Sequence, residues 1–258
     1  MPMNSAEHPV LETHGLTIRF GGHVAVDGVS CAFRPGTLTA IVGPNGAGKT
    51  TYFNLISGQL KASAGRVSLF GEDIGALSAP QRTKRGIGRA FQLTNLFPRL
   101  SVLENVRLAV QARAGLGKDL FSMWSSHVEL IEKAEHFLHR VTLAEKRDLV
   151  ASTLPHGDQR KLEVAILLAL EPEVFMFDEP TAGMSAAEVP VILELIQQLK
   201  AQGDKTVLLV EHKMDVVRSL ADRIIVLHQG QLVADGEPAA VIASPIVQEA
   251  YLGVSRNG

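Results

Sequence analysis

The stretch that decides the fold runs from position 43 to position 50 and reads Gly43-Pro44-Asn45-Gly46-Ala47-Gly48-Lys49-Thr50. It follows the pattern G-x-x-x-x-G-K-T. The apolar run 38–42 before it predicts a buried strand, and residues 50–57 after it predict a helix that Gly58 closes. Glycines in such a turn bring backbone N–H groups close to phosphate oxygens, and a helix N-terminus favours anions. The stretch therefore predicts a phosphate-binding loop.

The end of this loop carries the chemistry expected of an ATP site. The Lys49 ammonium would reach the β- and γ-phosphates, and the Thr50 hydroxyl would ligate Mg²⁺. We expect Thr51 to contact ATP as well, together with residues 43–50. A glycine-rich turn with no ligand is the alternative, and it is disfavoured because strand, loop, Lys-Thr pair and helix occur in the required order.

A second apolar run that ends in acid, Val174 to Glu179, follows the Walker B pattern. Asp178 would hold Mg²⁺ through water, and Glu179 would orient and activate the attacking water. Taken alone, Asp-Glu after a strand could equally be a helix cap or a solvated loop. Downstream of a phosphate-binding loop, the catalytic interpretation is favoured, and it predicts ATP hydrolysis.

Composition excludes several other classes of protein. The chain has 258 residues, 46% of them hydrophobic, which is enough for one sizeable core with a smaller lobe. Its net charge of −2 and the lack of a basic stripe give no support to a nucleic-acid partner. The single cysteine, Cys31, excludes an intrachain disulfide, and a buried inert thiol in a reducing compartment is expected.

No segment of the sequence predicts a secretory signal or a membrane span. Residues 1–9 lack both a basic patch and an apolar run. The longest apolar run, Val164 to Leu170, is bounded by Glu163 and Glu171 and is too short to cross a bilayer. We therefore expect a soluble chain whose membrane role, if it has one, comes through a partner.

The remaining pattern predicts an α/β core with an inserted helical lobe. Helical periodicity covers about 102–149, is broken once at 115–117 and includes the only tryptophan, Trp124. Ser185 to Glu188 predicts a capping box for a helix that runs to about Gln202. Strands are predicted at 11–20, 24–34, 65–70, 174–177 and 206–210, a hairpin at 224–228 and 231–234, and a short helix with an extension at 238–258.

The order of these motifs resembles the nucleotide-binding subunit of ABC transporters over essentially the whole chain. The resemblance implies a RecA-like P-loop NTPase core with an antiparallel β subdomain and an inserted α-helical subdomain. It implies one nucleotide-binding domain, 1–258. Within it, 1–94 and 166–237 would form the catalytic core, 95–165 the helical signature subdomain, and 238–258 a C-terminal extension.

The same resemblance assigns roles to three further residues. Gln92, in Ala90-Phe91-Gln92, looks like the Q-loop glutamine that contacts Mg²⁺ and the membrane partner. His212 ends the strand after Walker B, where the family carries its switch histidine to the γ-phosphate. Phe20 falls where an aromatic ring stacks on adenine, although a core phenylalanine would look identical in sequence.

The signature motif of the family departs from its usual Leu-Ser-Gly-Gly-Gln form. Here it reads Leu154-Pro155-His156-Gly157-Asp158-Gln159, so that Gly157, Asp158 and Gln159 would contact the ATP of a second chain in trans. Pro155 replaces a serine and brings neither a hydroxyl nor an N–H. We expect slower turnover or weaker ATP-driven dimerisation. The residues after Walker B, 181–184, differ from the usual D-loop but keep the position of a dimer contact.

Three stretches resemble the branched-chain amino acid uptake branch of this family. They are 85–106, Glu211 to Asp215, and 236–253. The same branch serves urea, other amides and small organic acids, so the solute stays open. The implied partners are a second ABC ATPase in a homodimer or heterodimer, two integral membrane permeases and, indirectly, a periplasmic or extracellular solute-binding protein. The implied location is the cytoplasmic face of the bacterial inner membrane.

Two other functions compete with an importer ATPase. One is a non-transport ABC protein that acts on ribosomes or DNA, but such chains carry two cassettes or long coiled-coil insertions. The other is a module that binds ATP without turning it over, which Pro155 motivates.

Overall fold

A computed structural model describes residues 8–90, 96–116 and 128–252. The chain divides into two compact units. The first comprises the described residues of Met1–Ile87, Glu173–Glu179 and Leu199–Gly258, and the second comprises those of Gly88–Pro172 and Pro180–Gln198. These units overlap with the subdomains that the sequence suggests but do not share their limits.

Two β-sheets organise the strands. The first is four-stranded, with the order β2-β1-β4-β5, and its paired neighbours run antiparallel. Its strands are β1 (Leu11–Phe20), β2 (His23–Phe33), β4 (Ala64–Leu69) and β5 (Glu72–Asp73). The second is six-stranded, with the order β10-β9-β3-β8-β7-β6. Its strands are β3 (Leu38–Val42), β6 (Ile87–Ala90), β7 (Val174–Asp178), β8 (Thr206–Val210), β9 (Arg223–His228) and β10 (Gln231–Gly236).

Parallel pairing in the larger sheet fixes where the chemistry lies. Strand β3 pairs in parallel with β8 and with β9, and β7 pairs in parallel with β8. The carboxyl ends of β3, β7 and β8 therefore meet at one edge of the sheet. In open α/β sheets this edge is where ligands bind. The segments that begin at Gly43, Glu179 and Glu211 all leave the sheet there.

Alternating residues of β3 separate the two hydrophobic cores of the first unit. Ile41 faces a large cluster that contains helix α1 (Lys49–Ser57) and the inner residues of the four-stranded sheet. Ala40 and Val42 face a smaller cluster on the other side of the sheet. Three helices pack over this smaller cluster: α7 (Met214–Leu220), α8 (Pro238–Ala243) and α9 (Pro245–Leu252).

Helix α1 is held at its end by the next helix, α2 (Ala79–Lys84). The buried Arg82 guanidinium donates to the carbonyl oxygens of Leu55 at 2.7 Å and Ile56 at 2.8 Å, near the C-terminus of α1. It also bonds the carbonyls of Leu77 and Gly75 at 3.1 and 3.3 Å. Burial lowers the pKa of Arg82, and the nearby Asp73 opposes that shift. This side chain satisfies carbonyls that the helix end leaves open.

The second unit is largely helical. It contains α3 (Val102–Arg113), α4 (Val128–Arg140), α5 (His156–Ala169) and most of α6 (Val189–Ala201). Helices α3, α4 and α5 pack on one another. Ser101 caps α3, because its hydroxyl accepts from the Glu104 N–H at 3.1 Å.

Most of the predicted elements are present, and three differ. Helix α6 begins at Val189, four residues after Ser185. The Glu188 carboxylate accepts from the Ser185 N–H at 3.0 Å, which is one arm of the predicted capping box, whereas the Ser185 hydroxyl donates to the same carboxylate at 2.7 Å. The tail holds two helices, α8 and α9, where a short helix and an extension were predicted. The continuous helical pattern to position 149 is wrong: α4 ends at Arg140 and a 3₁₀ turn follows at Ala144–Lys146. Trp124 lies outside the described residues.

The sequence also predicts that Cys31, which lies in the first unit, is buried. It is buried in β2, and burial raises the pKa of its thiol. A buried thiol with a raised pKa is a poor nucleophile, so the expected inert cysteine is confirmed.

Replacing Arg82 with alanine is expected to lower the free energy of unfolding by about 3 kcal/mol, because several buried carbonyls lose a charged donor. Urea unfolding followed by circular dichroism measures this. Arg85→Ala is the matched control. Arg85 forms an exposed ion pair with Glu72 at 2.6 Å, and such pairs contribute about 0–1 kcal/mol. Equal losses in the two variants would contradict the proposed role of Arg82.

Candidate functional site

The loop from Gly43 to Thr50 packs closely against neighbouring backbone. A Cβ added at Gly43 would lie 2.1 Å from the Leu227 carbonyl oxygen, and one added at Gly48 would lie 2.5 Å from that of Ala25. Gly48 also has a φ of 97°, a conformation that side chains with a Cβ adopt at a cost. Only glycine fits at these two places, which explains the sequence pattern.

Lys49 lies within the curve of the loop. Its ammonium donates to the carbonyl oxygens of Gly43 at 2.7 Å and Pro44 at 3.0 Å, and only 6% of the residue is exposed. Burial lowers the pKa of Lys49, while the negative charges of Glu179 and Asp178 raise it. The loop therefore holds a partly desolvated positive charge beside the first turn of α1, where the backbone N–H groups also favour anions.

The two acidic residues predicted from the Walker B pattern end β7 and start the segment after it. Asp178 is the buried last residue of the strand. Glu179 has a φ of 50°, and its N–H donates to the Val210 carbonyl at 2.9 Å. This left-handed conformation is unusual for a residue with a Cβ, and such strain is often found at functional positions.

Glu179 meets His212 across the ends of two adjacent strands. Their Oε1 and Nε2 atoms lie 2.8 Å apart, a hydrogen-bond distance. The two residues are 33 positions apart in sequence, and the parallel pairing of β7 with β8 brings them together. The structure thus places the predicted water-activating carboxylate and the predicted switch histidine side by side.

Glu211 is a site residue that the sequence analysis did not identify. Its buried carboxylate accepts from the His212 N–H at 2.7 Å and from the Lys213 N–H at 3.4 Å. These bonds hold the backbone that carries the histidine. The only signal in the sequence is a carboxylate directly after an apolar strand, and that pattern does not specify which N–H groups the side chain meets.

A cavity of about 420 Å³ joins most of the predicted residues. Its wall includes Phe20, which is 49% exposed and so is not a core residue. The other predicted residues in the wall are Asn45, Gly46, Ala47, Gly48, Lys49, Thr50, Thr51, Glu179 and His212. His23 and Ala25 also line it and were not predicted. An aromatic ring, a phosphate-binding loop and a carboxylate–histidine pair therefore share one cavity.

The predicted trans contacts belong to the second unit and are described within it. Pro155 precedes the first residue of α5 and gives it no side-chain cap. The buried Asp158 carboxylate pairs with the ammonium groups of Lys146 and of Lys161. The Gln159 side-chain amide donates to the Leu154 carbonyl at 2.9 Å. Asp158 and Gln159 thus use their side chains inside the unit, and the Gln159 N–H donates to the Pro155 carbonyl at 3.0 Å, so the contact predicted in trans is left to the other main-chain groups at the start of α5.

Gly157 borders the segment that follows Walker B. A Cβ at Gly157 would meet the Glu188 carboxylate oxygens at 2.5 and 2.6 Å. The imidazole of His156 lies close to Gly183. A Cβ added at Gly183 would lie 2.7 Å from the Cδ2 atom of His156. The N-terminal turn of α5 therefore packs on residues 183–188. Gln92 lies outside the described residues.

The fold and the cavity define a P-loop nucleotide-binding protein, and comparisons with known proteins agree. The profile described as ABC transporter matches residues 26–182. The high-affinity branched-chain amino acid transport ATP-binding protein BraF of Pseudomonas aeruginosa is 39% identical over 251 residues, which cover 95% of this chain and 98% of that protein. The Escherichia coli K12 protein of the same description, LivG, is 38% identical over 250 residues, with 95% and 98% coverage.

Solved structures show the same similarity. A nucleotide-free ATP-binding cassette from an ABC transporter superposes with a TM-score of 0.81 at 32% identity, covering 94% of this chain and 98% of that one. A dimeric ATP-binding cassette in a post-hydrolysis state, bound to ADP and Pi, gives a TM-score of 0.77 at 28% identity, with 88% and 98% coverage.

The chain belongs to the ABC transporter family, as one of its ATPase subunits. The predicted α/β fold with a P-loop NTPase core is confirmed. Across the described ranges 8–90, 96–116 and 128–252, the structure contains no helix with the length and apolar character needed to cross a membrane.

Gly43→Ala is expected to lower the thermal unfolding temperature more than Gly46→Ala. Both glycines have positive φ, which costs roughly 1–2 kcal/mol for a residue with a Cβ, but only at Gly43 would the Cβ collide with backbone. The Gly46 Cβ would enter open space, so this variant is the matched control for backbone strain alone. Differential scanning fluorimetry without nucleotide compares the two, and equal shifts would show that the Leu227 contact is unimportant.

Glu211→Ala is expected to lower the kcat of ATP hydrolysis by roughly tenfold, because the His212 and Lys213 N–H groups lose a buried charged acceptor. The KM for ATP should change little if the bonds of Glu211 to the His212 and Lys213 N–H groups are the ones that matter for activity. Glu211→Gln keeps an acceptor oxygen and should recover most of the activity. Steady-state ATPase kinetics measure both. A KM effect larger than the kcat effect would mean that Glu211 supports the ATP-binding loop instead.

Proposed function

We propose that this chain binds and hydrolyses ATP to drive an ABC importer for branched-chain amino acids. The observation that carries the proposal is the single cavity that joins Phe20, the phosphate-binding loop, Glu179 and His212. The solute class is supported by the printed descriptions of BraF and LivG, both branched-chain amino acid transport proteins that match along almost their whole length.

In this proposal the loop and Lys49 bind the phosphates of ATP. The backbone N–H groups of residues 43–50 and the first turn of α1 face the negative charge, and the partly buried Lys49 ammonium neutralises it. The exposed ring of Phe20 offers an apolar face to adenine at the other side of the cavity.

The residues present also fit Mg²⁺. The Thr50 hydroxyl and the Asp178 carboxylate are the hard oxygen ligands that this cation prefers. Gln92 would add a side-chain oxygen, as the family resemblance implies. Bound Mg²⁺ neutralises charge on the phosphates during transfer of the terminal phosphoryl group.

Hydrolysis in this proposal uses Glu179 and His212. The Glu179 carboxylate orients a water molecule and accepts its proton as the water oxygen attacks the terminal phosphorus. The bond between phosphorus and the bridging oxygen breaks, and ADP leaves with the electron pair. His212, held by Glu211 and within 2.8 Å of Glu179, steadies the carboxylate and contacts the terminal phosphate. Most of the catalysis comes from positioning and charge stabilisation.

A second ATPase subunit, identical or different, completes each site in this proposal. The main chain at the start of the partner's α5, around Gly157, Asp158 and Gln159, faces the terminal phosphate. Pro155 cannot supply the serine hydroxyl or an N–H there. We therefore expect turnover slower than a serine at this position would give, since one missing donor to a transition state costs about 2.7–4 kcal/mol in other enzymes.

The proposed assembly includes two integral membrane permeases, and solute reaches them from a periplasmic or extracellular binding protein. The cassette then sits at the cytoplasmic face of the bacterial inner membrane. Within the chain, 1–94 and 166–237 act as the catalytic core, 95–165 as the helical subdomain that faces the partner cassette, and 238–258 as a C-terminal extension.

Glu179→Gln is expected to reduce ATP hydrolysis by at least about a hundredfold, because an amide cannot accept the proton from water. ATP binding should persist, since the loop and Lys49 are unchanged. Phosphate release measures turnover, and fluorescent-nucleotide titration measures binding. Lys49→Ala is the opposite control, because it should lose binding as well. If wild type and Glu179→Gln are equally inactive with the membrane permeases present, the ATPase proposal fails.

The solute is tested separately in proteoliposomes that hold the complete importer. Uptake of labelled L-leucine should require ATP inside the vesicle and should be lost when the cassette carries Glu179→Gln. Labelled urea and acetamide are the alternatives from the same branch. Urea uptake without leucine uptake would overturn the solute class and leave the ATPase assignment in place.

A further inference from the structure

A second cavity lies on the other face of the large sheet, away from the phosphate-binding loop. It measures about 270 Å³, and its inner wall is aliphatic. The buried wall residues are Val42, Ile224, Val241 and Val247. The space is open to solvent on one side, so its buried aliphatic residues form the floor of a pocket that a small molecule can enter.

Charged and polar side chains stand at the opening of this aliphatic cavity. Arg218 and Gln248 line it, and with Ile242 they also line an adjoining cleft of about 710 Å³. The exposed Glu237 and Asp222 line the same cleft. Small-molecule sites typically combine an apolar pocket with a few polar groups that fix orientation.

The charges at the opening are available to a ligand. Across the described part of the chain, no carboxylate lies within ion-pairing distance of Arg218 and no Lys or Arg lies within that distance of Glu237. Within the described residues, Glu237 accepts from the backbone N–H groups of Ala239 and Ala240, each at 3.2 Å. Asp222 differs, because it pairs with Lys200 at 2.6 Å. Among the described residues, the Arg218 guanidinium at the aliphatic cavity and the Glu237 carboxylate in the adjoining cleft thus have no charged partner.

We propose that this place binds a zwitterionic α-amino acid with a branched aliphatic side chain. Arg218 would pair with the ligand carboxylate, Glu237 with its ammonium group, and the aliphatic side chain would fill the cavity between Val42 and Val247. Drug-sized ligands occupy cavities of roughly 300–1,000 Å³, so a space of 270 Å³ suits a smaller molecule. Opposite charges beside an apolar space match the three parts of such an amino acid.

The site is connected to the catalytic residues through α7. Met214 and Arg218 line the cavity one helical turn apart on one face of this helix. Helix α7 begins two residues after His212, whose Nε2 atom lies 2.8 Å from Glu179. A ligand that joins α7 to α8 and α9 would stabilise the arrangement in which His212 contacts Glu179. In the proposed mechanism His212 must also contact the terminal phosphate, so a ligand that holds α7 in place restricts this movement and slows hydrolysis.

The proposed binding of the amino acid depends on the cavity alone, whereas the proposed slowing of hydrolysis rests on the proposed ATPase function. The ligand class is the same as that of the proposed solute. Occupancy of the cavity would then lower ATP use when that amino acid accumulates beside the cassette.

Isothermal titration calorimetry of the full chain with millimolar L-leucine tests the binding step. We expect one site per chain. L-Serine lacks the aliphatic branch, isopentylamine lacks the carboxylate and 4-methylpentanoate lacks the ammonium group, so all three should bind at least tenfold more weakly, if at all. Absence of heat from L-leucine with folded, ATP-binding protein overturns the site, and equal binding of L-serine overturns the ligand class.

Variants locate the ligand within the chain. Arg218→Ala should weaken L-leucine binding by roughly tenfold or more, because a charge-assisted pair is lost. Glu237→Gln should also weaken binding while keeping one of the two acceptor oxygens that cap α8. Val241→Phe fills the aliphatic cavity and should abolish binding. Arg66→Ala, an exposed arginine of β4, is the matched control and should bind normally. Unchanged binding by both Arg218→Ala and Glu237→Gln overturns the proposed site.

ATPase assays with and without L-leucine test the regulatory step. Turnover by the wild type should fall with L-leucine, and turnover by Arg218→Ala should not respond. Binding of L-leucine with no change in turnover would overturn regulation and leave the binding site standing. Normal turnover without any L-leucine binding would overturn this inference and leave the ATPase function in place, so the two failures are distinguishable.

Discussion

The parallel pairing of β3 with β8 and of β8 with β7 is the constraint on which the site depends. Each strand is buried on both faces, and a change of register by one residue would move its side chains into the wrong core. The fixed register brings the carboxyl ends of three strands to one edge. The phosphate-binding loop, Glu179 and His212 of one cavity are therefore supplied by three separate segments of the chain.

The hairpin of β9 and β10 gives the phosphate-binding loop its shape. The Leu227 carbonyl fills the space beside Gly43, and the Gly230 N–H donates to the Ala47 carbonyl at 3.1 Å. The loop is thus held by neighbouring backbone as well as by its own glycines. A loop shaped in advance loses less entropy when it binds phosphate, which favours affinity.

Side chains of the signature region serve the stability of the second unit. Asp158 pairs with Lys161 at 3.1 Å, and Lys161 also pairs with Glu188 at 3.3 Å. Glu188 in turn accepts from Ser185, and these hydrogen bonds, more than the lysine, lower the pKa of its carboxyl. Asp158, which the family resemblance assigns to a partner's nucleotide, therefore bonds within the second unit, and Lys161 links α5 to Glu188. The main chain at the start of α5 is the part left for recognition.

The sequence by itself determined the local elements: the buried strands, the loop of residues 43–50 with its lysine and threonine, and the Gln229-Gly230 hairpin, whose residues have φ of 49° and 80°. Hydrophobic periodicity and glycine placement determine structure over a few residues, so they can be recognised in the sequence. The start of α6, the role of Glu211 and the aliphatic cavity under α7 were decided only by tertiary structure. The cavity joins groups from distant segments, and such packing leaves no pattern of fixed spacing in the sequence; the bonds of Glu188 and Glu211 are local, but spacing alone does not specify which N–H groups a carboxylate meets.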